Sequence, residues 1–197
     1  MRLLACSCCF LALLGFVAPS KAGPKVTSRT TSFPISGATG DALLRQLEQK
    51  GPKHGFTSRA IAQTRYTMNS EADWTHADGV CKVTRPQVRL DINYIYPAVK
   101  GEVSGPLRSR WQRFMAGIRK HEEQHGRLAR EMAAEADKAI AGLKVQDGKD
   151  CGKLRAEMKR VVAAIVGRYE ARQRQFDVVE HRSGGNVESL VRRLVAK

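Results

Sequence analysis

The run His121-Glu122-Glu123-Gln124-His125 brings together the residue types that metal-assisted hydrolysis requires. On a helix, histidines four residues apart stand one turn apart on one face, so both imidazoles reach a single zinc ion. A carboxylate beside the first histidine can take the proton of a zinc-activated water and pass it to a leaving amine. His121 and His125 are therefore read as metal ligands and Glu122 as the general base. Glu123 points about 100° further round the helix and is expected to face solvent.

A catalytic zinc needs a third protein ligand. No histidine follows His125 six residues on, where the chain runs Gly126-Arg127-Leu128-Ala129-Arg130. Glu157 and Glu170 on a later helix are candidates. So is His181, spaced i, i+4 from Asp177 in Phe176-Asp177-Val178-Val179-Glu180-His181. Spacing alone leaves the third ligand open among these; with the family resemblance given below, the expectation is His181, with Asp177 hydrogen-bonded to a ligand so as to orient it. Tyr169 or a nearby arginine could stabilise an oxyanion, and nothing in the sequence selects one.

These side chains need rigid elements. After Gly105-Pro106, Leu107, Trp111, Phe114 and Ile118 recur in steps of four, three and four. The same rhythm continues through His121, His125, Leu128 and Met132, so the two histidines fall on the inward stripe of a helix reaching to about Leu143. An unsatisfied imidazole there would be costly, which favours a ligand role. A polar turn over 146–152 precedes a second helix with Leu154, Met158, Val161, Ile165 and Tyr169 inward, and Val187–Val195 reads as a short terminal helix.

Before the helices the pattern is β. Val88, Leu90, Ile92, Tyr94 and Tyr96 alternate in a strand punctuated by Pro86 and Pro97, and alternation over 60–68 gives another. Val80–Val83 is its hairpin partner or an earlier part of the same strand. A strand over 31–36 and a helix over 41–50, stopped by Gly51-Pro52, come first. The fold expected is α+β: a small antiparallel sheet followed by a long helical hairpin carrying the zinc site.

The chain has 197 residues and 42% hydrophobic residues, which suits one folded domain over 31–197. Arg2, the apolar run 3–17 and small residues at Ser20 and Ala22 read as a signal peptide over 1–22, with an uncleaved anchor as the alternative. The run is too short for a good membrane span. Residues 23–30, basic and Ser/Thr-rich, are expected to be a flexible leader. Removal of the signal leaves two of five cysteines, Cys81 and Cys151, and export favours a disulfide between them. The formal charge of +15 falls to +13 without Arg2 and Lys21. Such a surplus suits an anionic envelope surface; the basic residues are dispersed rather than clustered with aromatics, so nucleic acid is not expected.

In order and spacing, several segments resemble the DUF922 family, described as predicted secreted zinc-dependent proteases of bacteria. They are Gly51-Pro52, Cys81-Lys82-Val83, the 88–94 strand with Tyr96-Pro97, Trp111 with Phe114, the His121–His125 run, and Phe176-Asp177 with His181. The family's closing motif has the form Tyr-Asp-x-x-Thr-x-His-Gly. Here Phe176 replaces the tyrosine, Arg182 stands where glycine is usual, and His181 falls one residue early. The resemblance implies a periplasmic or secreted zinc metallopeptidase acting on peptides or proteins. Two rivals stand beside it: a non-catalytic zinc-containing envelope protein that binds an anionic partner, and a metal-buffering protein without turnover. A structural zinc would have no use for Glu122 as a base.

Overall fold

The computed structural model describes residues 23–54 and 58–196. The signal segment expected over 1–22 lies outside the described residues. Strands β4 (Gln63–Ala77) and β5 (Val80–Val99) form a long antiparallel hairpin. It turns on Asp78-Gly79, both at positive φ (52° and 74°), as a two-residue type I′ turn requires.

Pro86 and Pro97 lie inside β5 rather than bounding it, and Val80–Val83 is the early part of that same strand. The two halves of β5 bury opposite parities: Cys81 and Val83, then Val88, Leu90 and Ile92. Asp73 pairs with Arg85 while Trp74 pairs with Val83, so Thr84 bulges out of register. One extra residue flips the side-chain alternation, and the bulge keeps apolar groups of both halves on the helix-covered face.

The expected antiparallel sheet is in fact mixed. Strand β1 (Lys25–Ile35) runs parallel to β5, from Lys25 opposite Arg89 to Ile35 opposite Val99. It also corrects the expected leader, since the strand already begins at Lys25. Nearly all of β1 is exposed and its last residue, Ile35, is buried, so a backbone ladder holds it where an apolar pattern is lacking. A short β6 (Lys144–Gln146), in a stretch that read partly as turn, pairs with Val80–Lys82. Strands β2 (Lys53–His54) and β3 (Ser58–Arg59) form a separate pair. In the order β1-β5-β4, the outer edge of β4 pairs with no strand among the described residues.

Helix α1 (Gly40–Lys50) is capped by Thr39 and buries Leu43 and Leu47. Helix α2 (Gly105–Ala141) opens on the Ser104 cap with Pro106 in its first turn. Helix α3 (Gly152–His181) returns antiparallel, since Glu135 meets Arg168 while Glu131 meets Arg172. Helix α4 (Asn186–Val195) closes the chain. No helix among the described residues is long and apolar enough to cross a membrane.

Three apolar clusters share α2. Leu107, Phe114 and Ile118 pack with α1 and α4. Leu128, Met132 and Ala136 meet Ile165 and Tyr169 of α3. Ala129, Ala133 and Ile140 cover the sheet beside the Cys81–Cys151 disulfide. His121 and His125 fall between the first two clusters. The Tyr94 ring of β5 lies against α2 there: a side chain on Gly126 would start 1.9 Å from the Tyr94 hydroxyl, so any larger residue must displace that ring.

Candidate metal centre

The 3.6-residue period that buries Phe114 and Ile118 also turns His121 inward, 6% exposed, while Glu123 is exposed as expected. On α3, Gln173, Asp177, Glu180 and His181 recur at one- and two-turn spacings and face the same place. Antiparallel packing sets the end of α3 against the middle of α2.

Three donor atoms meet there. His125 Nε2 lies 2.9 Å from Asp177 Oδ1 and 3.2 Å from His121 Nε2, and the third edge, His121 Nε2 to Asp177 Oδ1, is 3.3 Å. Ligand bonds of about 2.0–2.1 Å at tetrahedral angles separate donors by roughly 3.3 Å, so this triangle has the dimensions of one face of a tetrahedral zinc site. His181 is exposed but near: it, His121 and Asp177 each offer a ligand atom within 4.8 Å of the others. Its ring stands edge-on to His121 with centroids 5.2 Å apart.

Each imidazole is held from behind. Gln173 grips His125 twice, its Oε1 accepting from Nδ1 at 2.5 Å and its Nε2 donating to the His125 carbonyl at 3.1 Å. With Nδ1 carrying the proton, the Nε2 lone pair is directed at the donor triangle. His121 Nδ1 is buried without a hydrogen-bond partner, and Glu180 Oε2 stands 3.6 Å away. The Phe176 ring stacks on His121 and meets His125 edge-on. Glu122, 5% exposed, accepts a hydrogen bond from Thr64 of β4, 2.7 Å from Oε2.

Charge follows the geometry. Burial pushes the Glu122 carboxyl above its ordinary value despite the Thr64 bond and the nearby imidazoles. Burial works against a charged His125, but the Asp177 and Gln173 bonds outweigh it and raise its pKa. Asp177 is pulled the opposite way: burial would raise it, and the two imidazoles hold it well below the usual carboxylate range. His181, exposed at its outer side, is lowered by desolvation where its ring faces the cluster and by the neighbouring His121. A pocket whose acceptors converge on a shared proton offers the same electrostatic welcome to a metal cation, and nitrogen plus carboxylate donors suit zinc.

The cluster opens into a cleft of about 610 Å³ bounded by α2, α3 and the 59–66 segment. His121, Glu122, His125, Asp177 and His181 all line it. The sequence reading set His181 among the ligands and Asp177 behind them; here the Asp177 oxygen stands close to both histidine nitrogens, and His181 lies in reach of His121 and Asp177. Glu157 pairs with Arg160 on an outer face, and Glu170 is exposed and outside the cluster. Tyr169 packs in the α2–α3 core under Arg172, away from the cleft lining. Gln173, Glu180 and Thr64 went unread. The first two could have been found from their helical spacing to Asp177; Thr64 sits on a strand whose contact with α2 has no sequence signature.

No curated protein and no solved structure was found to match the chain. A family model, that of a bacterial protein of unknown function (DUF922), matches residues 30–185, and the chain belongs to that family.

Proposed function

We propose that the protein is an exported zinc metallopeptidase whose ligands are His121 Nε2, His125 Nε2 and Asp177 Oδ1. The observation that carries this is the donor triangle, with edges of 2.9–3.3 Å, beside a buried carboxylate in an open cleft. A zinc ion, when bound, supplies Lewis-acid polarisation of the scissile carbonyl and acidifies an attacking water.

The remaining chemistry belongs to the chain. Glu122, its pKa raised by burial, accepts the proton of the water and delivers it to the departing amine. Thr64 fixes the carboxylate, Gln173 fixes the His125 tautomer, and Glu180 stands ready to orient His121. The outer edge of β4, whose first residues line the cleft, can take an extended peptide by backbone hydrogen bonds. The signal-like leader and the disulfide support an oxidising, extracytoplasmic location, and the basic surplus suits an anionic envelope.

His181 favours one second reading. If it joined the three donors, the tetrahedral site would close and the metal would be structural. The experiment is metal content and peptide hydrolysis for the protein from residue 23, beside Glu122→Ala, Asp177→Ala and His181→Ala. The peptidase reading expects zinc in wild type and Glu122→Ala, zinc lost in Asp177→Ala, zinc retained in His181→Ala, and hydrolysis abolished by Glu122→Ala. Zinc lost in His181→Ala with no hydrolysis by wild type would support the closed site; no zinc under any condition would sink both.

A further inference from the structure

The cleft is not alike at its two ends. Going along α2 from Ile118 through His121 to His125, α3 passes in the opposite sense from His181 through Asp177 to Arg174, and the third wall runs from Ala62 through Thr64 to Tyr66. The Ile118 end opens on the α1–α4 core, where Ile61, Ala62 and Val187 pack. Val178 lies on the rim and is 63% exposed, the most of any large hydrophobic among the described residues. The other end carries Tyr66 and Arg174. Arg174 makes no ion pair among the described residues, and its field reaches the Tyr66 phenol. Glu170 also acts on Tyr66 but does not line the cleft. Arg59, beyond the apolar end, is engaged by the Gly51 carbonyl at 2.9 Å.

Resting on the peptidase reading, we infer that the cleft takes a peptide with an apolar side chain toward Ile61, Ile118 and Val187 and an acidic side chain toward Arg174, on opposite sides of the scissile bond. Water is displaced from an apolar wall at one end, and a free guanidinium meets a carboxylate at the other. An exposed ion pair is weak, so charge selects by a modest factor while the apolar contact contributes more.

The test uses quenched-fluorescence peptides carrying Leu on one side of the cleaved bond and Glu or Lys on the other, in both orders. Wild type should prefer Glu to Lys, and Arg174→Glu should reverse that preference, moving the Glu-to-Lys ratio of kcat/KM by about 10-fold or more. Ile61→Gln should erode the preference for Leu over Ser and leave the charge preference intact. A Glu-to-Lys ratio within twofold of wild type in Arg174→Glu overturns the inference even if peptides are cleaved and Glu122→Ala is dead. Should wild type cleave nothing, binding of the same peptides to zinc-loaded Glu122→Gln, read by fluorescence anisotropy, decides. Binding with the reversible charge preference keeps the inference while the catalytic reading falls; no binding removes both.

Discussion

Helix α3 is tied to the rest of the fold at both ends, by unlike means. At one end Cys151, at the start of α3, is bonded to Cys81 of β5, with Cα atoms 5.7 Å apart. At the other, Gln173 and Asp177 of α3 grip His121 and His125 through hydrogen bonds and ion pairs. The first tie is covalent, wholly buried and surrounded by apolar side chains. The second is polar, opens on a cleft, and contains a buried His121 Nδ1 that lacks a hydrogen bond and has only the Glu180 carboxylate 3.6 Å away. Two imidazoles and a carboxylate gathered at one point beside a buried carboxyl cost more desolvation than joining two helices requires. The difference teaches where to look for function: both ends anchor α3, one to the sheet and one to α2, and only the second gathers polar groups around an open cleft.

That contrast can be broken most sharply at Glu122. Glu122→Ala should lower kcat by about 10²–10⁴-fold, measured on any cleaved peptide, while zinc content and thermal melting stay close to wild type. Replacing Cys81 and Cys151 by serine should do the reverse. Stability should fall by roughly 4 kcal/mol on the chain-entropy estimate for so long a loop, read by urea titration, with zinc stoichiometry kept where the protein remains folded. If instead the serine variant folds fully but loses zinc, the two ties are not independent.

Gln173→Ala sharpens the comparison within the polar end. It should weaken zinc binding by about 10–100-fold in a competitive chelator titration and change the absorption of the cobalt-substituted protein. Gln173→Glu, which can still accept from Nδ1, should recover most of that loss. An unchanged affinity would make Gln173 a packing residue only. Gly126→Ala should cost about 1–3 kcal/mol through overpacking against Tyr94, read by thermal melting.

The smallest effect belongs to Asp147, near the covalent tie, whose carboxylate accepts from the Leu154 and Gly148 amides. Desolvation would raise its pKa, and the backbone hydrogen bonds outweigh it, so the folded value is depressed. A depressed carboxyl stabilises above its unfolded pKa and loses that contribution as pH falls through the folded one. Asp147→Asn should therefore lower the melting temperature slightly at pH 7, and the gap to wild type should close in acid.

Legibility followed the strength of the pattern. The α2 stripe, eight apolar or histidine positions at helical steps, set His121 and His125 on the inward face because burial on a long helix repeats with one period. Cys81 and Cys151 were readable by subtraction once the first 22 residues were set aside. Strand β1 was read only in its second half, as the strand over 31–36, because Lys25–Pro34 buries almost nothing and a strand held by its ladder leaves little trace in hydropathy. The division of roles between Asp177 and His181 was not legible, for a different reason. Spacing tells that Asp177 and His181 share a face, but which of them reaches the histidines depends on how far α3 slides along α2, and no local pattern encodes that slide.

The parallel placement of β1 also orders events in folding. The β4–β5 hairpin closes across two residues and can form within microseconds. Strand β1 must instead find a partner more than sixty positions away, as the Thr27–Asp91 contact across 64 residues shows, and that closure carries a large entropic cost. It is the strand that docks late and peels first. Its departure would bare a long edge of β5 able to recruit another copy's β1, so strand exchange between molecules is the misassembly to which this topology is most exposed.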